Sequence, residues 1–159
     1  MAIQKKIPLY QPSLSISEKK NVVNCINENW ISSKGKFVKK FENNFKNKFN
    51  YRYSTVTTNG TTALHLAVMS LDLNKGDEVI VPNLTYVAPC NAVTYSGAKI
   101  VLVDVNPDTW LMDKKAILKH ITKKTKAILL VHLYGFTYDL DEMNYLKKKF
   151  NIKIIEDCA

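Results

Sequence analysis

The stretch GDEVIVPNLTYVAPCNAVTYSGAKIVLVD, residues 76–104, decides the fold. Its first part, Glu78 to Val81, is a short apolar run rich in β-branched side chains. A helical stretch from Ala88 to Ser96 follows, then a second such run from Lys99 to Asp104. Two strands joined through a helix make a right-handed crossover, which lays the strands parallel. The same alternation continues outward in both directions. It predicts further strands at Ser54 to Thr57, Lys126 to His132 and Lys153 to Glu156. Helices are predicted at Thr62 to Leu71, Lys114 to Ile121 and Leu140 to Phe150. The expected class is therefore α/β, a mostly parallel sheet with helices on both faces. Ligands in such sheets sit at the carboxyl ends of the strands, beside helix N-termini.

The first fifty residues read differently. Ser15-Ile16-Ser17-Glu18 is a capping box, and Val22, Val23, Ile26 and Trp30 then share one helical face. After Gly35, Phe37, Phe41, Phe45 and Phe49 recur every fourth residue and predict a second amphipathic helix whose stripe packs rather than binds ligand. The expected organisation is a helical segment over 1–50 and part of a larger sheet-containing domain over 51–159.

Composition excludes several classes. With 46% hydrophobic and 23% charged residues, five Gly and five Pro, the 159-residue chain is neither disordered nor fibrous. Apolar runs such as Ala127 to Val131 are far too short to span a bilayer, and the opening residues lack the apolar core of a secretory signal. Three cysteines, Cys25, Cys90 and Cys158, lack the spacing of a disulfide framework or a zinc site. No metal is expected, and the chain reads as a soluble, cytoplasmic protein without a membrane partner. The net charge of +9 comes from 23 Lys plus Arg against 14 Asp plus Glu, with Arg52 as the sole arginine. Nucleic-acid readers rely on arginine for bidentate contacts. Dispersed lysines instead suggest solvated faces and a field that draws in anionic substrates.

The strand ends carry the chemistry. After the run ending at Thr57 comes Asn59-Gly60-Thr61-Thr62, leading into a helix. Gly60 suits a tight turn, and the N–H groups and hydroxyls of Thr61 and Thr62 would form an anion cradle at the helix N-terminus. Neither a dinucleotide fingerprint nor a P-loop is present. Tyr86, just past the second predicted strand, is placed to lay its ring over a flat ligand. The last predicted strand ends in Glu156-Asp157, and alternation sends one carboxylate to the site and the other to the flanking layer. A phosphate cradle, an aromatic cover and a carboxylate describe a site for pyridoxal 5′-phosphate. The carboxylate there holds the ring nitrogen protonated, so that the ring acts as an electron sink.

The segments WISSKGKFV (30–38), NGTTALHLA (59–67), GDEVIVP (76–82), VDVNPDT (103–109), VHLYG (131–135) and IEDCA (155–159) resemble, in order and spacing, the DegT/StrS family of pyridoxal-phosphate-dependent sugar-nucleotide aminotransferases. The opening WISS is most similar to the perosamine-synthase-like branch. The resemblance implies an aspartate-aminotransferase-type (fold type I) large domain, followed in the family by a small domain, in a homodimer. It implies that Gly60, Thr61 and Thr62 bind the cofactor phosphate, that Tyr86 stacks on its ring and that Asp157 pairs with its ring nitrogen. The implied partners are a nucleotide-linked 4-keto-6-deoxy sugar and an amino-acid donor, glutamate. His65 and His120 are expected to be structural or solvated, while His132 could approach the pocket. Family members are about twice this length, and their Schiff-base lysine follows the Glu-Asp-x-Ala motif, beyond Ala159. The 159-residue chain alone is therefore expected to be inactive as an N-terminal fragment. A sugar 3-dehydratase, with histidine at the lysine position, and a non-catalytic binding or regulatory fragment are the alternatives.

Overall fold

The computed structural model describes Pro8 and residues 10–159. The chain divides into two compact units, one reaching to Val56 and the other spanning Thr57–Ala159.

In the first unit, helix α1 (Ile16–Asn27) starts where the capping box places it, with the Ser15 N–H donating to Glu18 Oε2 at 2.7 Å. Helix α2 (Lys36–Phe49) ends at Asn50, whose left-handed φ of 55° is tolerated by asparagine and stops the helix. The phenylalanine stripe packs largely ring on ring along α2, with centroids 5.8 Å apart for Phe41–Phe45 and 4.7 Å for Phe45–Phe49. No residue of α1 or α2 is buried. The expected strand at Ser54 to Thr57 is not a strand. The segment is extended but has no ladder partner among the described residues, and the Val56 N–H donates instead to Glu42 Oε1 at 3.1 Å. β-Branched composition makes a chain extended, and a neighbouring strand is what makes it a ladder.

The second unit is a parallel α/β layer structure. Helix α3 (Gly60–Met69) precedes strand β1 (Glu78–Pro82), helix α4 (Val87–Tyr95), strand β2 (Lys99–Val103) and helix α5 (Lys114–His120). Strand β3 (Thr125–Val131), a 3-10 turn at Leu133–Gly135, helix α6 (Leu140–Phe150) and strand β4 (Lys153–Asp157) complete it. The order across the sheet is β2-β1-β3-β4, and every pairing is parallel. Alternation splits the apolar side chains between two cores. Val79, Val81, Ala127, Leu129 and Ile155 pack against Leu64 and Val68 of α3 and Ala92 and Val93 of α4. Ile80, Val103, Ile128 and Leu130 pack on the other face against Ile117 of α5 and Met143 and Leu146 of α6. Where β1 and β3 are covered on both sides, at Val79–Val81 and Ala127–Val131, they are accordingly continuous apolar runs. Among the described residues no helix is long and apolar enough to cross a membrane.

A buried carboxylate ties the amino ends of three strands together. Glu78, 6% exposed, accepts from Thr122 Oγ1 at 2.6 Å and from Lys99 Nζ at 3.3 Å. The Thr122 hydroxyl, then Lys99 and Lys124, hold its carboxyl below the usual carboxylate range against the opposing effect of burial. Because the folded-state value is the lower one, this stabilisation is present above the unfolded-state value and is lost as pH falls through the folded one. Glu78→Gln is expected to cost about 1.5 kcal/mol at neutral pH, the scale of a hydrogen bond to a charged group. The difference from wild type should shrink as unfolding is measured at progressively acid pH. A difference that stays constant down the pH series would remove the charge from the explanation.

Candidate active site

Strand β1 connects through α4 to β2 on one side, whereas β3 connects through α6 to β4 on the other. The crossovers thus diverge between β1 and β3, and their carboxyl ends leave a crevice there. The structure has a hollow of about 300 Å³ at this point. It is lined by Thr85 and Tyr86 after β1, Val131 and Leu133 at the end of β3, Asp157 from β4, and Gly60 and Thr61 at the start of α3.

The α3 terminus is shaped by its cap. Asn59 Oδ1 accepts from the Thr62 N–H at 2.9 Å, and the Asn59 N–H donates to Thr62 Oγ1 at 3.3 Å. The N–H and hydroxyl of Thr62 are engaged with Asn59, and Thr62 does not line the hollow. The N–H groups of Gly60 and Thr61, by contrast, meet no acceptor among the described residues and stand at the positive end of the helix. Gly60 is the first residue of the helix, and a Cβ there would meet only Ala159 Cβ at 3.9 Å.

Tyr86 is the N-cap residue of α4 and is 78% exposed, so its ring is free to cover a ligand. Asp157, half-buried, lines the same hollow, and its Oδ1 accepts from the Ala159 N–H at 3.1 Å. β4 is pinned at this level by the His132 N–H, which donates to the Asp157 carbonyl at 3.0 Å. Both carboxylates line a hollow of about 290 Å³ with Gly60 and Ala63, but of the two Asp157 alone lines the one that holds Thr61 and Tyr86. Asp157 joins Gly60, Thr61 and Tyr86, while Glu156 lines a second hollow of about 590 Å³ with His132, Tyr138 and Cys158.

His132 belongs to that second hollow and does not reach the first. Its Nδ1 accepts from the Tyr138 N–H at 3.4 Å, which assigns the ring proton to Nε2, 3.1 Å from Glu156 Oε2. The ligand-capable atoms of His132, Glu156 and Cys158 lie within 4.8 Å of one another. Both ring nitrogens of His132 are already engaged, and burial, then Glu156 and Asp157, push the Cys158 thiol up. His132 braces the end of β4 through its contact with Glu156. His65 packs edge-on against Tyr95 at 5.3 Å, and His120 Nδ1 lies 2.9 Å from the Ala116 carbonyl on the surface.

Sequence reasoning did not single out Thr85 as a site residue. Its Oγ1 is buried without a hydrogen-bond partner among the described residues, and it lines the first hollow. Only coordinates reveal an orphaned hydroxyl.

Residues 12–159 match the DegT/DnrJ/EryC1/StrS aminotransferase family. The GDP-perosamine synthase of Escherichia coli O157:H7 is 50% identical over 155 residues, covering 98% of this chain and 43% of that protein. Among solved structures, NtdA of Bacillus subtilis with its cofactor PMP bound superposes with a TM-score of 0.81 at 35% identity, over 91% of this chain and 34% of that one. The E. coli GDP-4-keto-6-deoxy-D-mannose-3-dehydratase with bound hydrated PLP gives 0.88 at 28% identity, over 97% and 41%. The chain spans less than half the length of the curated relatives it matches.

Proposed function

The chain belongs to the DegT/DnrJ/EryC1/StrS aminotransferase family, and on that premise we propose that it supplies the cofactor-holding part of a pyridoxal 5′-phosphate-dependent aminotransferase. The enzyme acts on a nucleotide-linked 4-keto-6-deoxy sugar, with glutamate as donor, in amino-sugar biosynthesis. It works as a cytoplasmic homodimer, and residues 51–159 form part of its large domain behind the helical segment 1–50.

The observation that carries this reading is one hollow that gathers two free helix-terminal N–H groups, an exposed aromatic ring and a carboxylate. Those are the three kinds of contact a phosphorylated, cationic, flat ring needs. At about 300 Å³ the hollow is at the small end of ligand sites, a size for a single ring rather than a nucleotide sugar.

Gly60 and Thr61 receive the phosphate on their N–H groups, while Thr62 and Asn59 hold the turn that aims them. Tyr86 covers one face of the ring and excludes water from it. Asp157 holds the proton on the ring nitrogen. When bound, the cofactor supplies an electron sink for negative charge at the carbon that loses its proton. The lysine that completes the chemistry follows Ala159 in family members.

Similarity to the dehydratase structure supports a second reading, sugar 3-dehydration, but half the positions are shared with a perosamine synthase against 28% with that dehydratase. The test is to supply the full product of the gene with pyridoxal 5′-phosphate, glutamate and a nucleotide-linked 4-keto-6-deoxy sugar. Formation of an amino sugar and 2-oxoglutarate in equal amounts is the expected result. Loss of the sugar 3-hydroxyl as water assigns dehydration instead, and the absence of any cofactor absorbance sinks both readings.

A further inference from the structure

We propose that the amino end of the parallel sheet is a docking face for an anionic phospholipid bilayer, on which the protein rests peripherally with its carboxyl-end hollow turned away. The inference stands on the placement of charge and is independent of what fills that hollow.

Lysines that are dispersed in the sequence are gathered by the topology. Every strand pairing is parallel, so all four strands begin at one pole of the second unit, where the crossover helices α5 and α6 also end. Lys75, Lys99, Lys123, Lys124, Lys126 and Lys153 lie in the segments that enter the strands or within their first two residues. Lys119 and Lys147 to Lys149 stand in the last turns of α5 and α6. All ten are exposed. The acidic residues of this pole are Asp72, Asp77 and Glu78. Asp77 pairs with Lys126 at 3.8 Å and Glu78 with Lys99 at 3.3 Å, while the other eight lysines make no ion pair among the described residues. At the opposite pole the proportion inverts. Lys114 and Lys115 stand there among eight Asp and Glu, which include Asp113, Asp139, Glu156 and Asp157.

Helix dipoles explain part of this order, since a lysine in a last turn and an aspartate at an N-cap each complement one. They do not explain the six lysines on loops and strand starts. Solubility does not explain them either, because it depends on net charge, and this unit is nearly balanced, with 12 lysines against 11 acidic residues. Segregated like charges repel one another unless something anionic faces them.

The shape of the patch selects the partner. It reaches from β2 at one side of the four-stranded sheet to β4 at the other, a two-dimensional spread that matches a charged plane rather than a strand laid in a groove. Within it, Lys123, Lys126 and Lys149 line a hollow of about 630 Å³ with Ile121 and Phe150, room for a phosphate-bearing headgroup. The sole arginine, Arg52, lies outside this unit, so the forked contacts that suit nucleic acid are missing. No helix among the described residues is long and apolar enough to span a bilayer, so the contact is electrostatic and peripheral. The acidic pole is repelled by the same surface, and the two poles together impose one orientation.

The test is sedimentation of the full gene product with vesicles of equal parts phosphatidylglycerol and phosphatidylcholine at low salt. Wild type should sediment with these vesicles and not with pure phosphatidylcholine, and added salt should release it. The combined variant Lys147→Gln/Lys148→Gln/Lys149→Gln should lower the partition about a hundredfold. Lys114→Gln/Lys115→Gln, at the acidic pole, should stay close to wild type. If the triple variant does not accumulate as folded protein, Lys123→Gln/Lys124→Gln carries the comparison, with a loss of more than about tenfold. Wild type that ignores the anionic vesicles overturns the inference, as does a triple variant that binds like wild type. Equal losses at the two poles also overturn it, because total charge and not this face then sets the binding. Tighter retention by single-stranded RNA than by the vesicles, abolished in the triple variant, assigns the pole to nucleic acid and overturns the bilayer.

Discussion

Asp157→Asn is expected to lower the rate of amino transfer by about 10²- to 10³-fold, the scale of removing one preorganised charged partner from a catalytic site. The substitution is nearly isosteric. Its side-chain oxygen can still accept from the Ala159 N–H, as Asp157 Oδ1 does at 3.1 Å, so the end of β4 should keep its shape. What disappears, on the proposed reading of the hollow, is the negative charge that pairs with the ring nitrogen. An amide does not stabilise a protonated ring as a carboxylate does, and the electron sink weakens with the loss of that proton. The binding loss should be smaller than the rate loss, because a charge-assisted hydrogen bond contributes on the order of 1.5–3 kcal/mol. Turnover and pyridoxamine 5′-phosphate affinity, measured on the same preparation, separate the two. Glu156→Gln is the matched control, one residue away but facing His132 in the other hollow. If Glu156→Gln proves the more damaging of the pair, the assignment of the two carboxylates is inverted.

That control shows how far the sequence reaches. Strand alternation alone requires Glu156 and Asp157 to face opposite layers. Which one meets the α3 terminus depends on the β2-β1-β3-β4 order, and the same strand-helix alternation is compatible with other orders. The α3 start was legible because Asn59, Gly60, Thr61 and Thr62 are a cap by type and spacing. Their division of labour was not, since whether the Thr62 N–H turns to Asn59 or to a ligand is a matter of rotamers. Ser54 to Thr57 misled for a related reason. Its β-branched composition encodes extension, whereas a ladder needs a neighbour that local sequence does not specify. The core was easy by comparison, because Val79 to Val81 and Ala127 to Val131 admit few environments other than a sheet covered on both faces. Thr85 was beyond reach of any pattern, because being unsatisfied is a property of surroundings and not of spacing.

Leu130→Ala should give the inverse phenotype to Asp157→Asn, a large loss of stability with the site chemistry intact. Leu130 lies on β3, which pairs with both β1 and β4, and it is fully buried among Ile80, Ile128, Met143 and Leu146. Truncation removes three carbons from a packed layer, where Leu→Ala replacements cost about 2–5 kcal/mol, with the loss rising with the cavity left behind. Against a total stability on the order of 5–15 kcal/mol, that is a sizeable share of what holds a domain together. The side chain points to the layer of α5 and α6, whereas the hollow is reached from the following residue, Val131. Folded Leu130→Ala should therefore bind pyridoxamine 5′-phosphate within a few-fold of wild type. Mass action then supplies a sharper comparison. Ligand at 100 times its Kd stabilises the folded state by about 2.7 kcal/mol, enough to restore much of the lost unfolding midpoint in Leu130→Ala. At that same ligand concentration Asp157→Asn, with its weaker binding, should gain less, although its unliganded midpoint matches wild type. A Leu130→Ala midpoint within 1 kcal/mol of wild type, or one that the ligand fails to raise, would mean that β3 does not couple this core to this hollow.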